Sequence, residues 1–173
     1  MNFADIKKAD IANGTGVRVS VFVSGCNHKC ENCFNRECWD FNYGKEFTNK
    51  EIDKILEELD HPYVAGLSLL GGEPLEHFNQ KGLLPLVRKV KERFPEKNIW
   101  CYTGFTFEKD VMNNMYQKWE ETPELLSYVD VMVDGKFEES KKDITLKFRG
   151  SSNQRIIDVQ KSIEGKKAIL FEF

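Results

Sequence analysis

An α/β fold with parallel strands is predicted by three features of this sequence. Short apolar runs at Val17–Val23, 65–70, Asn98–Tyr102 and 129–133 alternate with stretches of helical periodicity. Each run leads into a loop of unusual composition: a cysteine cluster, Gly71-Gly72-Glu73-Pro74, Thr103-Gly104-Phe105 and Asp134-Gly135-Lys136. The length of 173 residues suits one domain that can bury a sizeable core. Strands joined by right-handed crossovers put their C-terminal ends on one edge, so the four loops are expected to surround one pocket.

Residues 1–16 read as an N-terminal loop ending in the turn-prone Asn13-Gly14-Thr15-Gly16. These glycines precede the first strand, whereas a dinucleotide fingerprint needs them between a strand and a helix. Val17–Val23 then alternates before turning wholly apolar, as a buried strand does. Thr48-Asn49-Lys50-Glu51 has capping-box spacing ahead of Ile52, Ile55, Leu56 and Leu59, which predicts an amphipathic helix stopped by His61-Pro62. A strand at 65–70 follows. A helix is expected from Leu83, Leu84, Leu86, Val87, Val90 and Phe94, with Pro85 in its first turn and Pro95 as its stop.

After the strand at Asn98–Tyr102, residues 107–119 read as a helix with Val111, Met112, Met115 and Trp119 on one face. Thr122-Pro123-Glu124 can start a shorter one. Beyond the strand at 129–133, Lys136, Lys141, Lys142 and Lys147 read as a solvated face. The segment 155–173 is expected to form strands at 155–159 and 168–173, joined by a turn at Glu164-Gly165-Lys166.

Composition narrows the function. Hydrophobic residues are 40% and charged residues 31%, the balance of a soluble globular chain. A net charge of −3 without a long basic run gives nucleic acid no electrostatic footprint. No segment resembles a signal peptide or reaches bilayer length, so no membrane association and a cytoplasmic location are expected. Five cysteines in a reducing compartment argue for metal or catalytic use of the clustered ones rather than for a disulfide framework.

Cys26, Cys30 and Cys33 stand at C-x3-C-x2-C spacing. Soft thiolates select zinc, copper(I) or an iron–sulfur cluster, and spacing alone does not choose among them. Cys38 or His28 could add a fourth ligand, giving a closed zinc site or a fully ligated electron-transfer cluster. Cys101, in a separate apolar run, reads as a buried small hydrophobe. If only three cysteines hold a cubane, one of its four irons stays open to something other than protein. Adjacent glycines in the second loop leave backbone groups bare for a ligand's amine or carboxylate.

Cys26-x3-Cys30-x2-Cys33 followed by Gly71-Gly72-Glu73-Pro74 resembles the radical S-adenosylmethionine enzymes, and the whole chain is similar to their branch that activates anaerobic ribonucleoside-triphosphate reductase. The likeness extends to Asn13-Gly14-x-Gly16-x-Arg18, Val23-Ser24-Gly25, Trp39, Trp100-x-Tyr102-Thr103-Gly104, Val133-Asp134-Gly135-Lys136-Phe137 and Arg149-Gly150-Ser151-Ser152-Asn153-Gln154. It spans roughly residues 10 to 155, within a single radical S-adenosylmethionine domain expected over 1–173.

The resemblance implies a 4Fe–4S cluster on Cys26, Cys30 and Cys33, with S-adenosylmethionine chelating the fourth iron. Reductive cleavage would give methionine and a 5′-deoxyadenosyl radical, which would take a hydrogen atom from a glycine of the reductase. The cofactors carry this chemistry, so no catalytic side chain beyond them is implied, and His28 and His77 read as loop and surface residues. Gly71, Gly72 and Glu73 match the loop receiving the methionine amino group, and Asn32, Cys33 and Phe34 stand near the adenine position. Asp134 and Lys136 match an Asp-x-Lys near the ribose and carboxylate, and Thr103 completes the implied cofactor-binding set. The motif at 149–154 would touch the partner or serve as a structural loop. The implied fold is an open partial (β/α) barrel, smaller than a full TIM barrel, whose lateral gap would admit a macromolecular substrate. A flavodoxin-type electron donor is the expected reductant. Activation of another glycyl-radical enzyme, or a non-enzymatic zinc or ferredoxin-like module, are the alternatives.

Overall fold

The computed structural model describes residues 1–173 as one seven-stranded mixed sheet with five α-helices. The strands are β1 (Asn2–Asp10), β2 (Val17–Val23), β3 (Lys45–Glu46), β4 (Val64–Gly71), β5 (Asn98–Tyr102), β6 (Val131–Asp134) and β7 (Arg155–Asp158). Their spatial order is β3-β1-β2-β4-β5-β6-β7. The β2–β4, β4–β5 and β5–β6 pairs are parallel, as the alternation of strands and helices predicts, and the outer pairs are antiparallel. The helices are α1 (Asn49–Leu59), α2 (His77–Arg93), α3 (Tyr116–Lys118), α4 (Glu121–Tyr128) and α5 (Val159–Gly165). A π-helix, Phe107–Met115, runs into α3. None of the helices is long and apolar enough to cross a membrane.

The two faces of the sheet differ. Val19, Val21 and Val23 of β2, Leu67 and Leu69 of β4, and Ile99 and Cys101 of β5 join residues of the helices in one 28-residue core cluster. The alternate residues Trp100, Val131 and Val133 form a separate cluster, packed by Tyr102, Phe148, Ile156 and Phe171 and by no helix. Period-two alternation therefore sends one set of side chains under the helices and leaves the other set for loops to cover. Cys101 is fully buried among the first set, as a small hydrophobe.

The cap of α1 forms as the sequence predicts. Glu51 Oε1 accepts the Thr48 N–H at 3.0 Å, and Thr48 Oγ1 accepts the Lys50 N–H at 3.3 Å. Four of the expectations need correction. Residues 2–10 are an antiparallel strand rather than a loop, held on β2 over most of its length. Helix α2 begins at His77, so Pro85 lies mid-helix, and the buried Asn79 and Gln80 form its first inward turn. The helix predicted over 107–119 is a π-helix closed by the short α3, with Trp119 outside it. Only the first C-terminal strand exists: Asp158 caps α5 by accepting the Lys161 N–H at 3.1 Å, and 168–173 touches the sheet through one Ile157–Leu170 bridge.

Arg18 crosses the strands beneath the helix-free face and is fully buried. Its Nε donates to Ser68 Oγ at 2.7 Å, Nη1 to Thr15 O at 2.9 Å, and Nη2 to Leu67 O at 2.9 Å and Asn98 O at 3.1 Å. Burial lowers its pKa to about 10, which still leaves it charged at neutral pH. One side chain thus joins the 13–16 loop to β2, β4 and the start of β5. Arg18→Ala, which strands these acceptors and opens a void, is expected to lower stability by about 3 kcal/mol in urea titrations. An unchanged midpoint would contradict this role.

Candidate functional site

The C-terminal ends of β2, β4, β5 and β6 meet at a cavity of ≈ 570 Å³. Cys26, Cys30 and Cys33 line it together with Gly71, Gly72, Glu73, Thr103, Gly104 and Gly135. The four special loops of the sequence therefore converge, as their common edge predicts. Phe22, Leu70, Tyr102 and Val133 supply its wall from the helix-free face, and residues 142–150 close another side. Tyr102 contributes a hydroxyl with no hydrogen-bond partner.

Backbone hydrogen bonds lock the first two loops together. Gly72 N donates to Val23 O at 2.7 Å and Glu73 N to Gly25 O at 2.8 Å. Gly71 has φ +102°, and a Cβ on Gly72 would lie 2.6 Å from Gly25 O, so both positions depend on glycine. The buried Asn79 Nδ2 donates to Ser24 O at 3.1 Å and Glu73 O at 3.0 Å, pinning both loops to α2. Within the cysteine loop, Lys29 and Asn32 adopt left-handed φ values of 52° and 54°, which curl the chain between the thiols.

Glu73 is 1% exposed, and donors surround both of its oxygens. Oε1 accepts from Gly104 N at 2.7 Å and lies 2.7 Å from His28 Nε2. Oε2 accepts from Leu75 N and from Thr103 Oγ1, each at 2.8 Å. His28 stands in the cysteine loop, as expected, with its side chain turned in against the glycine loop, 7% exposed, and its Nε2 already engaged. His77 stacks on Trp119 at 4.2 Å and meets Glu121 at 2.7 Å, away from the cavity.

Burial pushes the Cys26 thiol up to about 12 and the Cys38 thiol up to about 11, and raises Cys30 as well. Cys38 is 2% exposed and does not line the cavity, although its carbonyl receives Gly25 N–H at 2.7 Å. No three His, Cys, Asp or Glu side chains converge as a set for a single metal ion. A cubane binds its cysteines at separate corners, so its ligands need not meet at one point. Three thiols on one cavity, with the fourth nearby cysteine outside it, are a donor set that fits a 4Fe–4S cluster held at three irons.

The remaining predicted residues divide between two places. Phe34 lines the cavity, 65% exposed, with its ring 5.1 Å from that of Phe137 and Lys142 Nζ 5.5 Å above it. Asn32 is exposed on the cysteine loop and does not line the cavity. Asp134 and Lys136 face a second cavity of ≈ 530 Å³ that no hydrophobic residue lines and that shares Gly104 and Gly135 with the first. The buried Asp134 carboxylate is held by Arg155 Nε at 3.0 Å, Arg155 Nη2 at 2.6 Å and Phe107 N at 2.8 Å. The 149–154 motif binds its own neighbours. Gln154 Oε1 accepts Gly150 N–H at 2.8 Å, its Nε2 donates to Gly135 O at 3.0 Å, and Asn153 Nδ2 donates to Lys136 O at 2.8 Å.

Sequence reasoning missed His28, Asn79 and Arg155. Asn79 carried a signal, since it falls on the stripe continued by Leu83, Leu86 and Val90, where a polar residue implies a buried partner. Arg155 carried none, because its carboxylates are 21 and 47 residues away.

Arg155 also grips Glu108, from Nη2 at 2.6 Å and Nη1 at 3.1 Å. These hydrogen bonds hold the Glu108 carboxyl at about 2, below its ordinary 4.5. A depressed carboxylate stabilises the fold above its unfolded pKa and loses that contribution as pH falls through the folded value. The urea-midpoint gap between wild type and Glu108→Gln is expected to be full above about pH 5, worth roughly 1 kcal/mol or less at this half-exposed pair. It should close as the pH falls from about 4.5 toward about 2. A gap that widens on acidification would contradict the assignment.

Comparison with known proteins agrees with this geometry. A family model described as a 4Fe-4S single cluster domain matches residues 12–157. The anaerobic ribonucleoside-triphosphate reductase-activating protein of Enterobacteria phage T4 is 43% identical over 156 residues, covering 90% of this chain and 93% of the phage protein. The proteins of the same name from Pasteurella multocida and Escherichia coli K12 are 40% and 37% identical, covering 90% and 89% of this chain and 96% of each relative. On identity and coverage of this extent, the chain belongs to the family of anaerobic ribonucleoside-triphosphate reductase-activating proteins.

Proposed function

We propose that this protein activates anaerobic ribonucleoside-triphosphate reductase, acting on it as a macromolecular substrate through one radical S-adenosylmethionine domain spanning 1–173. The observation that carries the reading is the convergence of three thiols and the paired glycines on one cavity, in a chain of this family. Cys26, Cys30 and Cys33 would hold the 4Fe–4S cluster. When bound, cluster and S-adenosylmethionine would together supply one-electron reductive chemistry, with methionine as the leaving group, capable of taking a hydrogen atom from a glycine of the reductase.

The chain's own residues bind, orient and exclude water. Gly71 and Gly72 would present bare backbone to the amino group of S-adenosylmethionine, held there by the bonds to Val23 and Gly25. Cys33 and Phe34 would border the adenine, with Asn32 contributing through the loop backbone. Thr103 and Glu73 would act from beneath, since their side chains are bonded to each other. Lys136 lines the adjoining cavity and would face the ribose and carboxylate end of the ligand, with Asp134, held by Arg155 and Phe107 N, acting from beneath. Apolar walls from Phe22, Leu70 and Val133 favour a dry site for a reactive radical.

The sheet is read as an open partial (β/α) barrel. In support, the main core cluster joins the helices to one face alone, and the other face walls the cavity. A lateral opening would let a glycine-bearing loop approach. A flavodoxin-type protein is the proposed electron donor.

Two outcomes test the proposal. Cys33→Ala is expected to lose the cluster's iron on anaerobic reconstitution while Cys38→Ala retains it; equal loss in both would favour a four-cysteine electron-transfer or zinc module. The dithionite-reduced protein is expected to give an electron paramagnetic resonance signal whose shape changes when S-adenosylmethionine is added. A cluster signal indifferent to the addition would overturn the radical mechanism.

A further inference from the structure

Of the three histidines, His28 alone is buried against the site. Its side chain is 7% exposed, against 47% for His61 and 33% for His77. Its ring packs edge-on to Phe105 with centroids 4.4 Å apart, and a Cβ on Gly104 would lie 2.7 Å from its Cδ2 and Nε2. Glycine at 104 is therefore what lets the ring reach Glu73. Nε2 lies 2.7 Å from Glu73 Oε1, and opposite a carboxylate oxygen, which accepts, the ring nitrogen takes the donor role.

The other three donors to Glu73 come from the loops after β4 and β5: Leu75 N, Thr103 Oγ1 and Gly104 N. His28 is the only one supplied by the cysteine loop, and it lies between Cys26 and Cys30. Asn27 N also donates to Glu76 Oε1 at 3.2 Å, beyond the glycine loop, so the His28 bond is the one that ties the stretch between Cys26 and Cys30 to the Gly71-Gly72-Glu73 segment itself. The backbone bonds from Gly72 and Glu73 to Val23 and Gly25 fix only the start of the loop, before Cys26.

We propose that His28 is a positioning residue: by donating to Glu73 it sets the cysteine loop in register with Gly71 and Gly72, so that a ligand can reach both the cluster and the glycine backbone. This rests on the radical S-adenosylmethionine reading of the same cavity. It assigns His28 no proton transfer and no metal.

The test compares wild type, His28→Leu and His28→Gln, each reconstituted anaerobically. Glutamine can offer an amide N–H to Glu73, whereas leucine fills the space without a donor. His28→Leu is expected to keep its iron and its reduced-cluster signal, because the three thiols are untouched. Its affinity for S-adenosylmethionine by calorimetry should fall about 10- to 100-fold, the usual range for losing a group that orients a metal centre. The ligand-induced change in the resonance signal should weaken in parallel, and His28→Gln should recover most of both. Amide exchange in the metal-free chains gives an independent readout. Exchange at Gly104 should speed by about tenfold or more in His28→Leu and return toward wild type in His28→Gln.

Wild-type affinity in His28→Leu, unchanged exchange at Gly104, or equal loss of iron in both variants would each overturn the proposal. The last would make His28 a folding element of the loop. If wild type itself fails to respond to S-adenosylmethionine, the radical reading falls and takes this proposal with it. A responsive wild type matched by His28→Leu removes the role of His28 alone.

Discussion

The Glu73 carboxylate is where three loops become one site. It is almost completely buried and accepts from the cysteine loop, the glycine loop and the turn after β5. An isolated carboxylate in such a place would be strongly unfavourable, and four donors offset its desolvation. The requirement runs outward from there. Gly104 must lack a side chain for His28 to approach, Thr103 must carry a hydroxyl, and the Thr103 hydroxyl in turn accepts Phe105 N–H at 3.1 Å. Loops joined only through apolar contacts would slide relative to one another. Directional bonds to a single buried acceptor hold them at one spacing.

A second polar centre supports this one from below. Arg18 spends its donors on β4, β5 and the 13–16 loop, so the sheet beneath the cavity is tied across its strands by a side chain as well as by the ladder. Arg155 does the corresponding work at the far edge, joining β7 to Asp134 at the end of β6 and to Glu108 of the π-helix. Arg18 lies on the face that no helix covers, against Trp100, whereas Arg155 alternates with Ile156 and so lies on the helix side with Ile157. Helices on both faces would fill the space that the cavity occupies. On the face left to loops, Arg18 supplies a cross-link between strands that helix packing provides on the other face, where Arg155 ties the sheet edge to the π-helix.

The parallel centre of the sheet was legible because its strands are buried on both sides, which leaves short runs rich in apolar residues, broken in β2 by the buried Arg18 and Ser20. The convergence of the four loops followed from topology alone. Strand β1 was not legible: only Asp10 of its nine residues is buried, so no alternation marks it, and its pairing is imposed by β2. Helix α5 did carry a signal in the Asp158 cap and the Val159, Ser162, Ile163 spacing, but seven residues are too few for periodicity to outweigh an apolar-run reading. Mid-helix Pro85 is a case of tertiary override, since buried Asn79 and Gln80 commit the chain to helix before the proline is reached. Within the site, residue types and spacing identified the thiols and glycines. The bond from His28 to Glu73 spans 45 residues and depends on loop conformations that no local pattern encodes.

The central claim is that this cavity generates a radical and delivers it to a glycine of anaerobic ribonucleoside-triphosphate reductase. The most direct measurement is electron paramagnetic resonance on the reductase after anaerobic incubation with this protein, S-adenosylmethionine and a reductant. It should be run with reductase carrying ordinary glycine and with reductase carrying α-deuterated glycine. The account predicts an organic radical whose doublet splitting collapses on deuteration, with deuterium recovered in 5′-deoxyadenosine. Cleavage of S-adenosylmethionine with no radical on the reductase, or a radical insensitive to glycine deuteration, would contradict it.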